Sequence, residues 1–499
     1  MWIGQLCEET MRIETLLSVL QPMTVRGDLN ADVVGIAYDS RQVRPGYLFV
    51  ALPGQRDDGR RYIDDAIRRG AVAVVSEGRE VARARDVVWI IVEDARRALA
   101  EISAAFHGNP AAQLELVGVT GTNGKTTTTF MLRDIFLAAG RQPGLIGTVV
   151  YEIGARRIPA LRTTPESSDL QDMLAQMVRA GCRSAILEVS SHALEQKRVW
   201  GLDFDVGVFT NLTRDHLDYH GTMERYFQAK ARLFHMLGSM EKRATAVINL
   251  DDPWGQQLAQ LEGRWAELIT FGSHPAATVR VDQIDTSVEG SSCRVITPWG
   301  EFDLTLSVLG RFNIWNALAA MAVAGARGIP MDLVVATLRH FHGAPGRLER
   351  IPNGKGLDVF VDYAHTDDAL EHVLTTLREV CRGRLYVVFG CGGNRDRSKR
   401  PLMGRVAGLR ADYVILTNDN PREEDPMQIL REIEQGIPPG ASYEIIPDRE
   451  AAIARAIQLA RPGDTVLIAG KGHETCQELA RSVVPFDDRL VARHYLEQL

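Results

Sequence analysis

The chain has 499 residues, about three times the ~150 residues of a typical domain, and this length predicts three domains. A composition of 45% hydrophobic and 24% charged residues is typical of a folded protein and excludes an intrinsically disordered one. The formal net charge of -7 argues against nucleic acid and an anionic membrane surface as partners, because both attract a broad positive field. A small anionic ligand stays compatible with this charge, since only local basic groups need to hold it.

No segment predicts a membrane span or an export signal. The longest uncharged apolar stretch, residues 312–326, is shorter than the ~18 residues of a membrane span. The N-terminus carries Glu8 and Glu9 where a signal peptide would be basic and then apolar. The six cysteines lie far apart without a CxxC pair, which favours reduced thiols over a zinc site or a disulfide framework. We therefore expect a cytoplasmic protein.

A first block, residues 1–112, combines short β-like runs with helical stretches. It closes at residues 106–110, where a helix end is followed by Gly-Asn-Pro. This pattern predicts a small N-terminal α/β domain. The β-like runs are residues 33–38, 47–52, 71–75 and 88–92.

A second block, residues 113–342, opens with the apolar run 114–119. Its strands alternate with helices, as a parallel α/β sheet requires. The block ends after a helix predicted over residues 313–326, and the Gly/Pro-rich link 343–346 has the composition of a hinge.

The third block, residues 343–499, contains five apolar strands separated by helical segments. Each strand is followed by polar residues, and the carboxyl ends of parallel strands share the edge of the sheet where ligands bind. This block therefore predicts a Rossmann-like, doubly wound domain with one site along that edge. The strands are residues 357–361, 384–389, 413–416, 443–446 and 465–469.

Residues 120–127, Thr-Gly-Thr-Asn-Gly-Lys-Thr-Thr, lie between the apolar run 114–119 and a helix predicted over 127–138. Glycines in such a loop let backbone N–H groups point at phosphate oxygens. Lys125 adds a positive charge, and the Thr126 hydroxyl suits Mg²⁺. The strict P-loop spacing places glycine where this chain has Val119, so the loop is a shortened variant that predicts nucleotide binding.

Two further strand ends offer metal ligands. Glu188 ends one predicted strand, where a carboxylate beside a P-loop is well placed for Mg²⁺. A strand over residues 205–209 leads into a segment with four candidates, and spacing alone does not choose among them. They are Asp215, His216, Asp218 and His220.

The motifs of all three blocks together resemble those of the Mur ligases, which are ATP-dependent amide-forming enzymes of peptidoglycan synthesis. Within that family, Asp-Asn-Pro-Arg at 419–422 resembles the motif for diaminopimelate in members that add this amino acid to UDP-N-acetylmuramoyl-L-alanyl-D-glutamate. Residues 11–17 resemble the family's usual beginning, so we expect residues 1–10 to be an extension or to follow an upstream start codon. The other matching motifs are residues 120–127, 188–192, 211–218, 312–316, 346–349 and 361–365.

The resemblance implies phosphorylation of a substrate carboxylate by ATP, attack of an amine on the acyl phosphate, and release of ADP and phosphate. It assigns catalytic roles to Lys125, Lys230, His216 and Arg347. It also implies Mg²⁺ on Thr126, Glu188, His216 and Lys230, with Lys230 carbamylated by CO₂ to N6-carboxylysine. The implied ATP-binding residues are Gly121, Thr122, Asn123, Gly124, Lys125, Thr126, Thr127, Asn313, Asn316, Arg347 and Asp362.

The resemblance also divides the chain into a UDP-sugar-binding domain, an ATP-binding domain and an amino-acid-binding domain, with the boundaries given above. Its partners would be ATP, the UDP-muramoyl dipeptide and meso-diaminopimelate, and we expect a monomer. The implied contacts to the UDP-muramoyl dipeptide are Ser40, Gln55, Arg56, Asp57, Thr163, Thr164, Ser190, Gln196 and Arg198. Those to diaminopimelate are Arg395, Asp419, Asn420, Pro421, Arg422, Gly470 and Glu474.

Other interpretations of the same residues remain open. From the sequence alone, Lys230 reads as an ordinary surface lysine of a helix, and Asn313 and Asn316 as helix caps. A related ligase could use L-lysine, folate or the D-Ala-D-Ala dipeptide, although the sequences at 39–41 and 419–422 argue against the last two. A P-loop binding module without ligase chemistry is a further alternative, but it has no need of the arginine-rich loops in the third block.

Overall fold

The structure is a computed structural model that describes residues 10–54, 57–78, 87–239, 242–261, 263 and 265–499. Three α/β units follow each other along the chain, each around its own main sheet. Within the described ranges, no helix combines the length and the apolar character that a membrane span requires.

The N-terminal unit is built on a five-stranded sheet in which β2 (Thr24–Arg26), β7 (Val88–Val92), β6 (Ala73–Glu77), β5 (Tyr47–Ala51) and β4 (Gly35–Ala37) lie in this order. A separate two-stranded sheet joins β1 (Met11–Arg12) and β3 (Asp32–Val33). The predicted run 33–38 forms two strands rather than one, because its first part pairs with β1 and its second part with β5. The strand predicted over 88–92 is confirmed. The elements are β1 (Met11–Arg12), α1 (Ile13–Leu17), β2 (Thr24–Arg26), β3 (Asp32–Val33), β4 (Gly35–Ala37), β5 (Tyr47–Ala51), α2 (Ile63–Arg68), β6 (Ala73–Glu77), β7 (Val88–Val92) and α3 (Ala95–Phe106), with 3-10 helices at Ser40–Gln42, Gly59–Tyr62 and Pro110–Gln113.

The central unit contains a long mixed sheet. Its first elements are β8 (Glu115–Thr120), α4 (Lys125–Ala138), β9 (Pro143–Ile146), β10 (Val150–Ile153), β11 (Arg156–Pro159), α5 (Ser167–Arg179), β12 (Ser184–Glu188), α6 (Ser191–Glu195), β13 (Val206–Phe209), α7 (Leu217–His220) and α8 (Met223–Met236). The rest are β14 (Thr245–Asn249), α9 (Pro253–Ala259), β15 (Glu267–Gly272), β16 (Val279–Ser287), β17 (Gly290–Thr297), β18 (Gly300–Leu306), α10 (Arg311–Ala326) and α11 (Met331–Arg339).

The order of this sheet is β11-β10-β9-β12-β8-β13-β14-β15-β16-β17-β18. Strands from β9 to β16 in that order are parallel, as predicted, whereas antiparallel hairpins extend both edges. The strand β8 lies in the middle, with β12 on one side and β13 on the other, so its carboxyl end opens into the crevice where α/β sheets bind ligands. After Asn316 the helix α10 has apolar residues on all sides, which is typical of a buried helix, and it packs with α4 in one hydrophobic core.

In the C-terminal sheet the strands β19 (Glu349–Arg350), β20 (Asp358–Asp362), β24 (Thr465–Ala469), β21 (Leu385–Phe389), β22 (Tyr413–Leu416) and β23 (Tyr443–Ile445) lie in this order. All five predicted strands are present and parallel, and the short β19 adds an antiparallel edge. The elements are β19 (Glu349–Arg350), β20 (Asp358–Asp362), α12 (Asp367–Val380), β21 (Leu385–Phe389), α13 (Lys399–Arg410), β22 (Tyr413–Leu416), α14 (Pro426–Glu434), β23 (Tyr443–Ile445), α15 (Arg449–Leu459), β24 (Thr465–Ala469), β25 (Cys476–Leu479), β26 (Ser482–Pro485) and α16 (Asp488–Gln498).

A buried ion pair ties the strand ends of the C-terminal unit together. Arg449 Nε and Nη2 each lie 2.7 Å from a carboxylate oxygen of Asp488, and both side chains are fully buried. The same guanidinium donates to the carbonyls of Ala469 (3.0 Å) and Asn418 (3.3 Å), which follow or end two different strands. Removal of one partner would leave the other as an uncompensated buried charge.

We predict that Arg449→Met lowers the free energy of unfolding of the C-terminal unit by about 3–5 kcal/mol, because it leaves the Asp488 carboxylate buried and unpaired. The double variant Arg449→Met/Asp488→Leu removes both charges and is expected to recover most of this loss. Urea unfolding followed by circular dichroism measures both effects. A double variant no more stable than the single one would contradict this explanation.

Candidate active site

The phosphate loop begins where β8 ends and α4 begins. Gly121 (φ 150°) and Gly124 (φ 86°) have backbone angles that other residues rarely adopt, and a Cβ there would collide with the side chains of Thr210 and Asn316. Val119, at the position where the strict motif has glycine, is a buried residue of β8. The loop is shorter than a strict P-loop because β8 continues through Val119 to Thr120, where a strict P-loop would already have begun.

The segment that follows β13 holds the phosphate loop in shape. Asn211 accepts from Thr122 N through its carbonyl and from Asn123 N through Oδ1, both at 2.9 Å. Thr210 Oγ1 donates to Asn123 O at 2.6 Å. The loop is thus held in one conformation by hydrogen bonds from a neighbouring strand end.

Two lysines meet at one carbonyl of this loop. Lys125 Nζ and Lys230 Nζ donate to Gly121 O at 2.9 and 2.7 Å, and Lys125 also donates to Thr122 O at 2.8 Å. Lys230 is only 1% exposed, so its interpretation as a surface lysine is wrong. Burial holds the pKa of Lys230 well below its usual 10.5, and the nearby Lys125 charge lowers that pKa further.

Glu188 is the centre of a hydroxyl and amide cluster next to the loop. Its Oε2 accepts from Thr126 Oγ1 (3.0 Å) and Thr148 Oγ1 (2.9 Å), and its Oε1 accepts from Thr148 N (2.8 Å). Arg347 Nη2 reaches Thr126 Oγ1 at 3.4 Å. Sequence reasoning missed Thr148, although the Gly-Thr pair just after β9 lies at a strand end beside Glu188 in the sheet.

The hinge places Arg347 between the central and C-terminal units. Its guanidinium lies 4.5 Å from the ring centroid of Tyr363, and its Nε is buried with no hydrogen-bond partner in the described part of the chain. Asp362 accepts from Leu348 N (2.6 Å) and Ala364 N (2.7 Å). Burial raises the pKa of Asp362, and the Arg347 charge opposes that rise. A cation with an unused N–H beside the loop is suited to an anionic ligand.

His216 is the candidate metal ligand that spacing did not single out. Its backbone is left-handed (φ 54°), and its Nε2 lies 3.3 Å from Asp215 Oδ2. Burial lowers the pKa of His216, and the Asp215 carboxylate opposes that fall. His220 instead pairs with Ser191 Oγ at 3.0 Å.

The described residues contain no group of three or more His, Cys, Asp or Glu side chains arranged around a metal position. Hydroxyl and carboxylate oxygens from Thr126 and Glu188 do lie together, 3.0 Å apart. Mg²⁺ prefers oxygen ligands and usually keeps water or phosphate oxygens, so a site with few protein ligands fits this cation better than a transition metal.

The asparagine pair of α10 lies beside the phosphate loop. Asn316 Nδ2 donates to Asn313 Oδ1 at 3.1 Å, and Asn316 Oδ1 accepts from Thr128 Oγ1 at 3.3 Å. Asn313 Nδ2 donates to the Leu309 carbonyl, and Gly310 is the residue that caps the helix. The interpretation of the pair as helix caps is therefore wrong, because neither side chain accepts from a first-turn N–H.

Most of the residues predicted to contact the UDP-muramoyl dipeptide form one network attached to Glu188. Thr164 Oγ1 donates to the Glu188 carbonyl (2.8 Å), and Arg198 donates to Thr164 O (2.9 Å) and Gln196 Oε1 (2.7 Å). Ser190 N donates to Thr164 Oγ1 (3.1 Å).

The other predicted contacts to the UDP-muramoyl dipeptide lie apart from these hydrogen bonds. Thr163 Oγ1 lies 3.1 Å from Thr148 Oγ1, and Asp57 accepts from Tyr62 OH at 2.7 Å. Ser40 is buried in the N-terminal unit, and Gln55 and Arg56 lie outside the described residues.

A cavity of about 310 Å³ lies between the C-terminal strand ends and the loop after β13. Six of the seven predicted diaminopimelate residues line it: Arg395, Asp419, Asn420, Arg422, Gly470 and Glu474. The seventh, Pro421, does not line it. Residues 214–218 of the central unit form the opposite wall, so the cavity joins the two units.

Arg422 is held in a fixed orientation at this cavity. Its backbone is left-handed (φ 52°), and its N–H donates to the Glu478 carbonyl at 3.1 Å. Its Nε lies 2.5 Å from Glu478 Oε2, and its Nη1 donates to Gly393 O at 2.8 Å. Three further Nη hydrogens, one on Nη1 and two on Nη2, remain for a ligand. Sequence reasoning missed Glu478, an isolated carboxylate on a hairpin without a recognisable pattern.

Comparison with known proteins covers all three units. Models of the Mur ligase family match residues 32–107 (catalytic domain), 119–324 (middle domain) and 346–472 (glutamate ligase domain). The chain belongs to the Mur ligase family. This membership confirms the resemblance seen in the sequence, the predicted three-domain α/β fold and the assignment as a ligase.

Individual Mur ligases match over almost the full length. A protein of Geobacillus thermodenitrificans (strain NG80-2), named UDP-N-acetylmuramoyl-L-alanyl-D-glutamate--2,6-diaminopimelate ligase, is 47% identical over 97% of this chain and 99% of its own. One of the same name from Geobacter metallireducens (strain ATCC 53774 / DSM 7210 / GS-15) is 46% identical over 96% and 97%. A solved structure of a ligase of that name is 35% identical, with a TM-score of 0.69 over 98% of this chain and 99% of that one.

We predict that Lys125→Ala lowers ATP turnover by about 10²–10³-fold or more, because it removes a cation from the transferring phosphate without emptying a hydrophobic core. Phosphate release measures the effect, and circular dichroism checks the fold. Lys242→Met, which removes a partly buried lysine paired with Asp205 away from the loop, serves as the control. Near-normal turnover in folded Lys125→Ala would exclude Lys125 from phosphate handling.

Proposed function

We propose that this Mur ligase joins meso-diaminopimelate to the D-glutamate of UDP-N-acetylmuramoyl-L-alanyl-D-glutamate, with release of ADP and phosphate, in peptidoglycan synthesis. The observation that carries the proposal is the shared cavity: Arg422 and Glu474 face it from one unit, and His216 from the other. Nearly full-length relatives that carry this ligase name support the same substrate.

The first step makes an acyl phosphate. An oxygen of the D-glutamate carboxylate attacks the γ-phosphorus of ATP, and the bond from that phosphorus to the oxygen of ADP breaks. Lys125 and Arg347 place positive charge beside the transferring group, which stabilises the charge that develops there. Thr126, Glu188, His216 and the carbamate of Lys230 would hold Mg²⁺, which when bound neutralises charge on the phosphate oxygens.

The burial of Lys230 supports its modification. Burial lowers the pKa of Lys230 and so raises the fraction of uncharged amine at a given pH, and only the uncharged amine attacks CO₂. A nitrogen–carbon bond forms, one electron pair of CO₂ moves to oxygen, and the nitrogen loses a proton to water. The resulting carbamate carries a negative charge beside Lys125, where the ammonium form would be repelled.

The second step forms the amide. The amine of diaminopimelate attacks the carbonyl carbon of the acyl phosphate, the tetrahedral intermediate expels phosphate, and the nitrogen loses a proton. Arg395 would bind the α-carboxylate and Glu474 the amine before attack. Arg422 would bind the distal carboxylate through its fork, since a guanidinium can form two parallel hydrogen bonds to one carboxylate.

The assignment of residues 1–112, 113–342 and 343–499 to UDP-sugar, ATP and amino-acid binding belongs to the same proposal. We place the enzyme in the cytoplasm, because ATP and reduced thiols are available there. One chain supplies residues for all three substrates, so a monomer suffices for the reaction.

We predict that Lys230→Ala is nearly inactive, because it removes the proposed carbamate oxygens. Added short carboxylates such as acetate should restore part of the activity by occupying the space left at the metal. Arg232→Ala on the same helix, whose partner Glu195 lies on a partly exposed surface, is the control and should stay active. Mass measurement of the native protein under CO₂ that finds only unmodified Lys230, together with no carboxylate rescue, would exclude the carbamate.

We predict a preference for meso-diaminopimelate over L-lysine on the order of 10⁴ in kcat/KM, because lysine leaves the fork of Arg422 without its partner. Arg422→Ala should lose most of this preference. Arg422→Lys should recover little, since an ammonium cannot pair with Glu478 and form two parallel bonds as well.

The control for this prediction is Arg410→Ala, which removes an arginine paired with Glu371 outside the cavity. Steady-state kinetics with each amino acid give the ratio. Equal use of both amino acids by the wild-type enzyme would show that Arg422 does not select the distal carboxylate, although the ligase assignment would stand.

A further inference from the structure

Lys471 is a buried charge at the cavity that none of the roles above uses. It follows β24 and Gly470, and its side chain is 0% exposed. Its Nζ donates to Glu474 Oε2 at 2.9 Å and to Asn420 Oδ1 at 3.0 Å. An ammonium buried this deeply is stable only with partners of this kind, so its position is tightly specified.

These three side chains close a ring of hydrogen bonds. Asn420 Nδ2 donates to the same Glu474 Oε2, also at 2.9 Å. Asn420 Oδ1 accepts a second hydrogen bond from Glu478 N at 3.0 Å, so both of its lone pairs are engaged. The amide of Asn420 is therefore committed to holding the loop and Glu474 in place.

The ring leaves one oxygen of Glu474 for a ligand. Two donors, Lys471 and Asn420, fix Oε2, whereas Oε1 has no hydrogen bond to any part of the chain that the structure describes. Glu474 lines the cavity, and its side chain keeps 29% of its surface exposed. The hydrogen bonds to Oε2 prevent the Glu474 carboxylate from rotating, so Oε1 stays oriented and available to a ligand.

A second carboxylate shares the cavity with Glu474, and Lys471 adds to the positive charge that Arg449 already places near both carboxylates. Asp419 is buried at the same cavity, and its Oδ2 lies so close to Gly470 that a Cβ there would be 2.5 Å away. Both Asp419 and Glu474 line the cavity, and they would repel each other before the ammonium groups of the zwitterionic substrate arrive. The charge of Lys471 offsets that repulsion without occupying the cavity, because its own donors point at Asn420 and Glu474.

We propose that Lys471 is a positioning residue for the incoming amino acid. It fixes Glu474 so that Oε1 accepts from the amino group of diaminopimelate that later attacks the acyl phosphate, while that group is still an ammonium. The inference rests on the proposed function, since it names a further determinant of amino-acid binding. Lys471 itself does not touch the substrate. Its effect is therefore expected on KM for the amino acid and only through Glu474.

The test is a double-mutant cycle with Lys471→Met and Glu474→Gln. Lys471→Met should raise KM for meso-diaminopimelate about tenfold or more, the effect expected from loss of a hydrogen bond to a charged group, and leave KM for ATP within about twofold. In the Glu474→Gln background the same change should raise KM by less than about threefold, because the residue through which Lys471 acts is already altered. Lys242→Met is the matched control and should change neither KM.

Lys471→Gln keeps an N–H donor without the charge and should fall between the wild type and Lys471→Met; it carries the test if the Met variant does not fold. An unchanged KM for diaminopimelate in a folded variant, equal increases in every KM, or strict additivity in the cycle would overturn the inference. Wild-type protein that consumes no ATP with diaminopimelate would instead overturn the proposed function, and this is measured before any variant.

Discussion

The rest of the site depends on a concentration of buried positive charge around one loop. Lys125 and Lys230 both donate to the Gly121 carbonyl, and Arg347 reaches the hydroxyl of Thr126 nearby. Like charges this close destabilise a folded protein unless anions accompany them. Glu188 and Asp215 are nearby protein carboxylates, phosphate groups would supply further negative charge, and carbamylation of Lys230 would replace one of these cations by an anion. The loop is therefore built for a ligand with several negative charges.

The topology of the two sheets explains how the phosphate loop comes to lie near the proposed sites for the UDP-muramoyl dipeptide and the amino acid. The carboxyl ends of β8, β12 and β13 lie side by side, so the phosphate loop, Glu188 and the segment carrying His216 share one edge. The C-terminal sheet presents its own carboxyl ends, with Glu474 and Arg422, to the same space. Gly470 N donates to Asp362 O at 3.0 Å, which links the loop after β24 to the carboxyl end of β20. Opposed strand ends thus bring an acyl phosphate and an amine together.

Much of this arrangement is predictable from the sequence because parallel strands are continuous apolar runs that end in polar residues. That pattern located the phosphate loop, Glu188 and five C-terminal strands. The edge hairpins β10–β11 and β16–β18 were not predicted, since their outward residues are polar and their strands follow no helix. Lys230 was predictable in one respect: it lies four residues after Tyr226 and four before Phe234, on the buried face of α8. Thr148 and Lys471 also follow strands, but a strand-end position does not show which polar residue there acquires a role, because that depends on partners distant in the sequence.

The central claim is that the D-glutamate carboxylate is activated as an acyl phosphate at the phosphate loop. It is tested most directly with UDP-muramoyl dipeptide whose D-glutamate carboxylates carry ¹⁸O, incubated with ATP and meso-diaminopimelate. Because the attacking carboxylate oxygen leaves with phosphorus when the amide forms, mass spectrometry of the released phosphate should find one ¹⁸O atom per molecule. Phosphate without ¹⁸O, released while amide product accumulates, would contradict the account.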